Sequence, residues 1–312
     1  MATFSSFVFS LVRKPLLVVL AVVNVAGCSG SQPQQFNGDA KVSSDGSLIA
    51  VMERGKAGVE LKVKKLNSNL SDWQKIPIPA TSGSFNFSQL GKNILITYLD
   101  GQSGILAKVD LGNANKLTEL YRSELSLAFP SEISSEKYLI QAVTRVTPNG
   151  YPMHRWKVIT VQQSVADVGE EFGPPYSNVS LVRDSGFFIV TDADGIEKTR
   201  QFALPNGVTP NIKKYVAPET VDLTCDRSLE NCIQVNRYLD ESGYFFKLVR
   251  ISNSEKCEMQ GFPRWNQRVS ITPDGKHALV VASRNSQTRP VLELVTFVNN
   301  VCTNFIKTSE EF

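Results

Sequence analysis

The chain has 312 residues, of which 42% are hydrophobic, and its formal net charge is +3. Only two basic residues and no acidic residue lie in the first 28 positions, so the following 284 residues carry 31 Lys and Arg against 30 Asp and Glu. A near-neutral body has no basic excess that could release counterions from DNA or RNA, and this argues against a nucleic-acid partner.

Residues 1–27 have the pattern of a secretion signal. Two basic residues precede PLLVVLAVVNVA, an apolar run typical of a signal peptide and too short for a comfortable membrane span. The run ends in VAGC (25–28), which resembles a bacterial lipobox. The resemblance implies acylation of Cys28, with two or three chains giving stable anchoring. Because Ser29 rather than Asp follows, it also implies the outer membrane, on the periplasmic side or exposed at the surface. An ordinary secretory leader or an uncleaved anchor is the alternative.

A short polar segment follows the predicted anchor. Cys28 and the sequence SGSQPQQFNG form a flexible tether over residues 28–38. Ten extended residues reach at most roughly 35 Å, so we expect the folded body to stay close to its bilayer.

The rest of the chain repeats. KVSSDGSLIAVM (41–52) and RVSITPDGKHALVVAS (268–283) each combine a short strand, an Asp-Gly turn and a more apolar strand, with four weaker copies between them. The turn positions, 44 to 49 residues apart, are Gly46, Gly91, Lys137, Gly186, Glu230 and Gly275. This period predicts an all-β, six-bladed β-propeller of four-stranded blades over residues 39–308, followed by a C-terminal tail at 309–312. Two stacked β-sandwiches are the alternative, but they would not require this register.

The segments SSDGSLIAV and TPDGKHALVV resemble the Ser-Pro-Asp-Gly-Lys repeats of TolB-like six-bladed propellers, which also occur in peptidase and lyase propellers. The resemblance covers nearly the whole predicted mature chain and implies an architecture rather than an activity. TolB carries an α/β domain before its propeller, whereas only ten residues separate Cys28 from the first blade here. The partner contacts of TolB are therefore not carried over.

Four further cysteines are predicted to lie in an oxidising compartment. Cys225 and Cys232 flank the first hairpin turn of blade five, where opposed positions can reach disulfide geometry, so we predict a bridge between them. Cys257 and Cys302 are one repeat apart, at equivalent positions of blades five and six. Such positions are usually too far apart to bridge unless the connecting loops lean together, so this second pair stays open.

The sequence contains no nucleophile elbow, zinc-protease motif, dinucleotide fingerprint or phosphate loop, and we predict no cofactor and no metal. TDADGIE (191–197) resembles the start of a calcium loop but lacks its later acidic ligands. His277 is predicted to be a structural residue in a strand of blade six. His154 is predicted to lie in the longest loop between second and third strands, on the surface.

Loops between second and third strands, together with the inter-blade loops, surround one mouth of a propeller channel. The candidate partner-binding residues in these loops are Arg54, Asp100, Arg145, His154, Arg155, Asp192, Asp240, Arg264, Trp265 and Arg284. Mixed charge with aromatic anchors is typical of protein-binding surfaces. The alternative to a binding surface is that these charged loop tips are simply exposed to solvent.

These patterns predict a non-enzymatic, membrane-anchored lipoprotein that binds a protein or an envelope polymer, as a scaffold or accessory subunit of a cell-envelope assembly. The main alternative is a propeller hydrolase or lyase that acts on sugars or peptides through Asp192 and Asp240. Carboxylates with a perturbed pKa at the channel mouth would favour that enzyme. A sensor for a small ligand in the channel is the third possibility.

Overall fold

A computed structural model describes residues 40–310 except 56–57, 67–72, 81, 89–90, 113–115, 174–179, 184, 192–196, 206, 210, 284–290 and 299–301. The described residues belong to one compact unit, residues 33–312. The predicted signal peptide, Cys28 and the whole of the predicted tether lie outside the described residues.

The described residues form six antiparallel sheets, which are the blades of a propeller. The strands of blades one to three are β1 (Ala40–Val42), β2 (Leu48–Gly55), β3 (Gly58–Lys65), β4 (Gln74–Ile78); β5 (Gly83–Phe87), β6 (Asn93–Asp100), β7 (Ser103–Asp110), β8 (Lys116–Ser123); β9 (Leu127–Ser134), β10 (Lys137–Val146), β11 (Pro152–Thr160) and β12 (Val165–Phe172). Those of blades four to six are β13 (Ser180–Val182), β14 (Ser185–Thr191), β15 (Glu197–Ala203); β16 (Thr220–Cys225), β17 (Asn231–Asp240), β18 (Gly243–Ser252), β19 (Glu255–Glu258); β20 (Asn266–Ile271), β21 (His277–Ser283), β22 (Val291–Phe297) and β23 (Phe305–Glu310). The predicted six-bladed, all-β fold is confirmed, and blade four supplies three strands among its described residues.

The core lies between the blades. Second strands such as β6 are buried on both faces because each blade is covered by a neighbour on either side, and the sequence of β6, NILITYLD, is accordingly a nearly continuous apolar run. Ile96 of β6 and Ile105 of β7 are fully buried against Leu61 of β3 in the neighbouring blade. Fourth strands such as β8 are mostly exposed. Burial of apolar surface at about 25 cal/mol per Å² therefore stabilises the junctions between blades.

The Asp-Gly turns explain the repeat. In blade one, the Asp45 Oδ1 accepts hydrogen bonds from Ser43 Oγ at 2.6 Å and from the Ser47 amide at 3.0 Å. Gly46 follows with a φ of +68°, a left-handed conformation that favours glycine. A Cβ at Gly46 would also lie 2.6 Å from the ring of His277 in blade six. Two of the predicted turn positions lie in strands instead. Lys137 begins β10, and Gly186 lies inside β14, where a Cβ would meet the ring of Phe202 at 2.5 Å.

In blade four, a non-strand segment follows β15 and fills the junction with blade five. It contains a short 3-10 helix at Lys213–Tyr215, and Ile212 and Tyr215 are buried against Phe187. The Tyr215 hydroxyl donates to the carbonyl oxygen of Leu229 at 2.9 Å. Of the helices in the described part of the chain, none is long and apolar enough to cross a membrane.

Every sheet consists of consecutive strands, so in the described residues no blade combines strands from the two ends of the chain. The ring closes between blade one and blade six through side-chain packing. Ile49 and Val51 of β2 contribute to this cluster from one side, and Leu279 and Leu292 contribute from the other.

Both cysteine pairs lie at disulfide distance. Cys225 and Cys232 are register partners on β16 and β17, and their sulfur atoms are 1.95 Å apart. The Cys257 and Cys302 sulfurs are 2.09 Å apart, which links the outer strand of blade five to blade six. The connection that carries Cys302 leans onto blade five, where Arg250 Nη1 lies 3.5 Å from the Cys302 carbonyl oxygen.

Candidate functional site

The predicted ring residues lie where second strands end and third strands begin. Asp100 ends β6, Asp240 ends β17 and Arg145 lies one residue before the end of β10. Arg54 lies near the end of β2, where the structure describes only its backbone. Asp192 and Arg284 lie outside the described residues. Propeller topology places these strand ends on one face, which we call the loop face.

The basic residues of blade three have local carboxylate partners. Arg145 Nε lies 3.1 Å from Glu171 Oε2, and Arg155 Nη1 lies 2.9 Å from Asp167 Oδ2. Hydrogen bonds from Lys157 and Arg155 hold the pKa of Asp167 below its usual value. These pairs are partly exposed and individually worth at most about 1 kcal/mol. They nevertheless offset the positive charge of Arg145 and Arg155 in this sector of the ring.

In blade two an arginine is likewise paired with carboxylates of its own blade. Arg122 Nη1 lies 3.1 Å from the Asp100 Oδ2, and Arg122 Nη2 lies 2.9 Å from Glu119 Oε2. Asp100 is therefore part of an exposed ion-pair group on its own blade.

The prediction that His154 lies on a surface loop is wrong. His154 lies in β11, is only 5% exposed and stacks against Phe172, with 6.0 Å between the ring centroids. The strands β10 and β11 extend further than the sequence suggested, and alternation along β11 directs His154 and Trp156 to the same buried side. Burial lowers the pKa of the imidazole. His154 is a core residue rather than a partner-binding residue.

Large apolar side chains are exposed on the described part of the loop face at the tip of the β17–β18 hairpin. Tyr238 lies opposite Phe245 in the register, with ring centroids 5.4 Å apart. On the other side of the hairpin, Leu239 lies opposite Tyr244, and these side chains are 69% and 68% exposed.

The loop before β20 adds a cation and an indole to this tip. The Arg264 guanidinium lies 3.8 Å from the ring centroid of Phe245, and its Nη2 lies 3.4 Å from Asp240 Oδ2. The Phe246 amide donates to the Arg264 carbonyl oxygen at 3.0 Å, which fastens the loop to the hairpin. Trp265 follows and is 38% exposed. Together these residues form the blade-five patch, which we define as Tyr238, Leu239, Tyr244, Phe245, Arg264 and Trp265.

Sequence reasoning identified Arg264 and Trp265 but missed the hairpin residues. The sequence YLDESGYFF (238–246) contains the pattern that could have indicated them. Apolar and aromatic side chains stand on both sides of its polar turn. These aromatic residues were not among the predicted site residues, because the sequence does not give the length of the second and third strands.

The central channel is narrow at its other end. Lys41, Asn86, Ser131, Thr224 and Ser270, from five innermost strands, line a cavity of about 90 Å³. A cavity of this volume holds a few water molecules at most.

Asp240 of the ring does not show the pKa shift that favours an enzyme, and its predicted partner Asp192 lies outside the described residues. Hydrogen bonds from the Ser242 hydroxyl at 2.6 Å and the Ser242 amide at 2.9 Å hold the pKa of Asp240 below its usual value. A general acid requires the opposite shift. Burial does raise the pKa of Asp222, although Lys41 and Arg268 oppose the shift, but Asp222 lies on the innermost strand β16 rather than in the ring. Among the described residues, no group of three or more His, Cys, Asp and Glu side chains could hold a metal ion.

Comparisons by sequence found nothing. No protein-family model matches the chain. No curated protein matches it either.

Comparisons by structure agree on the fold. TolB from Acinetobacter baumannii aligns with a TM-score of 0.58 and 14% identity, over 80% of this chain and 61% of TolB. The propeller domain of the Trilobed protease from Pyrococcus furiosus, which has an open velcro topology, aligns with a TM-score of 0.51 and 14% identity, over 82% of this chain and 81% of that domain. Prolyl oligopeptidase B from Galerina marginata aligns with a TM-score of 0.52 and 10% identity, over 88% of this chain and 42% of the peptidase.

These likenesses establish a TolB-like six-bladed propeller fold. This chain spans about three fifths of the TolB structure. Because proteases share the same fold, it does not separate a binding protein from an enzyme.

Proposed function

We propose that this protein is a non-enzymatic lipoprotein of the outer membrane, anchored through Cys28, which binds a protein of the cell envelope through its loop face. The blade-five patch is the main contact surface, and the protein acts as a scaffold or accessory subunit. An envelope polymer is the alternative ligand for the same face.

The observation that carries this proposal is the exposure of Leu239 and Tyr244 beside Arg264 and Trp265. Aromatic residues and arginine dominate the binding energy of protein interfaces. A hairpin that is paired along all ten residues of each strand holds these side chains in place, so binding orders few additional groups. The ion pairs of blades two and three then serve as a polar rim.

The binding proposal is tested by co-purification from detergent-solubilised membranes with a tagged chain. Tyr244→Ala and Trp265→Ala should each reduce recovery of the partner at least tenfold, because truncating an interface anchor typically costs about 2 kcal/mol or more. Lys276→Glu is the matched control on the opposite face, where the side chain is exposed and lies 3.7 Å from Asp274. Asp45 is unsuitable as a control because its carboxylate organises the first turn.

Circular dichroism and the melting temperature should stay near wild type in all these variants. Undiminished recovery with both alanine variants would exclude the blade-five patch as the main contact surface, and a loss with Lys276→Glu alone would place the partner on the opposite face.

The anchor is tested separately with Cys28→Ala. This variant should remain folded but leave the membrane fraction, and the wild-type protein should carry a lipid mass on its N-terminal peptide. Membrane retention of the variant, together with an unmodified wild-type peptide, would refute lipidation.

A further inference from the structure

Blade four differs from the other five blades at its outer edge. Each of the other blades has a fourth strand, but in the described residues β15 is paired with β14 only. The described part of the segment between Ala203 and Thr220 contains a 3-10 helix and no strand. An edge strand presents alternate backbone N–H and C=O groups that can pair with another chain.

The register indicates which backbone groups face outward. Val182 and Ser185 pair across a two-residue connection, and in such hairpins the closing pair is hydrogen-bonded. Strict alternation then directs the backbone groups of Phe188 toward β15, where its register partner is Arg200. The backbone groups of Thr199 and Gln201 consequently face away from β14.

A groove runs along this edge. Four consecutive residues of β15, Thr199 to Phe202, line a cavity of about 340 Å³ together with Gly169 to Phe172 of β12 in blade three. Because side chains alternate along a strand, four consecutive residues can line one cavity only along the strand's edge.

The floor of the groove is aromatic. Trp156, Phe172, Phe188 and Phe202 are all buried, and the rings of Phe172 and Phe188 lie 4.6 Å apart. The rim is charged, since Glu170 and Arg200 are both exposed. A ligand that fits must therefore combine an extended backbone with apolar side chains and polar ends.

We propose that an extended segment of a partner protein pairs with β15 and completes blade four as its fourth strand. Its apolar side chains at alternate positions pack on Phe172 and Phe202, and charges of opposite sign near its ends face Glu170 and Arg200. Strand addition of this kind takes affinity from main-chain hydrogen bonds and specificity from alternate side chains. This surface is separate from the blade-five patch, so the proposal stands or falls independently of the proposed function.

The first test is hydrogen exchange of the free full-length protein. The amides of Thr199 and Gln201 should exchange rapidly, and the amide of Arg200 should be protected. Protection of all three amides in a monomer would show that the chain itself covers the edge and would overturn the proposal.

The second test measures binding of a peptide probe, acetyl-Lys-Val-Thr-Val-Thr-Val-Glu-amide. Binding should slow exchange at Thr199 and Gln201, and it should weaken at least tenfold in Gln201→Pro, which removes an outward N–H. An otherwise identical peptide with alternate backbone nitrogens methylated should not bind the wild-type protein, and this control does not depend on the folding of a variant. Arg200→Pro is the matched variant, because it removes an inward N–H and should lower the melting temperature.

Equal binding of the methylated and unmethylated peptides, or no binding of either, would refute strand addition by a partner segment. A concentration-dependent dimer that Gln201→Pro abolishes would identify a second copy of this chain as the occupant and would also overturn the proposal.

Discussion

Arg227 of blade five donates a hydrogen bond from Nη2 to the backbone carbonyl oxygen of Glu132 in blade three, at 2.6 Å, although these blades are not neighbours. The Arg227 amide also donates to the carbonyl oxygen of Pro273 in blade six, and the Arg227 carbonyl oxygen accepts from the Arg183 amide in blade four. Arg227, Glu132 and Pro273 all line the narrow end of the channel. One residue therefore joins four blades there.

Arg227→Ala should lower the free energy of unfolding by about 1.5–3 kcal/mol, the usual range for hydrogen bonds that involve a charged group. Arg227→Lys should recover only part of this loss, because an ammonium group does not reproduce the planar guanidinium donors. Urea denaturation measures both changes. Arg122→Ala is the control, since its ion pairs are exposed, and it should change stability by no more than about 0.5 kcal/mol. Equal effects of Arg227→Ala and Arg122→Ala would contradict the bridging role.

Alanine substitutions at two glycines should distinguish the cost of backbone strain from the cost of steric crowding. Gly46 and Gly101 both have a positive φ, but a Cβ at Gly101 would meet nothing within 4 Å, whereas one at Gly46 would meet the His277 ring. Gly101→Ala should destabilise the protein by about 1–2 kcal/mol through the left-handed conformation alone. Gly46→Ala should destabilise it by about 1 kcal/mol or more beyond that, since the ring must move in a packed junction. Thermal unfolding of the two variants side by side provides the comparison, and equal losses would show that the ring yields freely.

Stability should depend on pH through the two histidines. Burial lowers the pKa of both His154 and His277, so below pH about 6.5 the unfolded chain binds protons that the folded protein does not. The free energy of unfolding should therefore fall as the pH drops below about 6.5 and level off once the folded-state pKa values are passed. His154→Phe should reduce this slope between pH 7 and pH 5 in denaturant titrations. An unchanged slope would place the titrating group elsewhere.

The cysteine pairs should differ in their effect on stability. A non-reduced digest should contain one linked peptide for Cys225 and Cys232 and another for Cys257 and Cys302. The sequence separations are 7 and 45 residues, so the second bridge constrains the unfolded chain more, by about 1.6 kcal/mol in the chain-entropy description. Replacing the Cys257 and Cys302 pair by Ala should accordingly lower the unfolding free energy more than replacing the other pair. Native alkylation of any of the four thiols without reduction would contradict the pairing.

The sequence predicted the fold well because the repeat is visible in the turns. Asp45 and Gly46 adopt the conformation and hydrogen bonds that their residue types favour, and Asp274 with Gly275 does the same in blade six. The cysteine pair of one hairpin could be predicted for the same reason, since two opposed positions lie within one local element.

The site was less predictable because it depends on where strands end. His154 and Tyr244 both lie near a turn in the sequence, yet one is buried and the other exposed. Their difference comes from how far the neighbouring blades reach along each hairpin, which is a tertiary property. The three strands of blade four in the described part of the chain were likewise not indicated by the repeat, because its period stays constant when a loop with Ile212 and Tyr215 follows the third strand.

The ends of this ring meet through side-chain packing, in which Ile49 and Val51 contact the cluster of Leu279 and Leu292, and no described strand is shared between the two blades. In the described residues each blade is thus built from consecutive strands only, so the pairing within a blade does not depend on which blade comes first in the chain. Joining the propeller ends and cutting the chain between blades two and three should give a circular permutant with the same ring. The junction between blades five and six is a less favourable place for the cut. A cut there would put Cys257 and Cys302 near opposite ends of the permuted chain, although they must still form one disulfide.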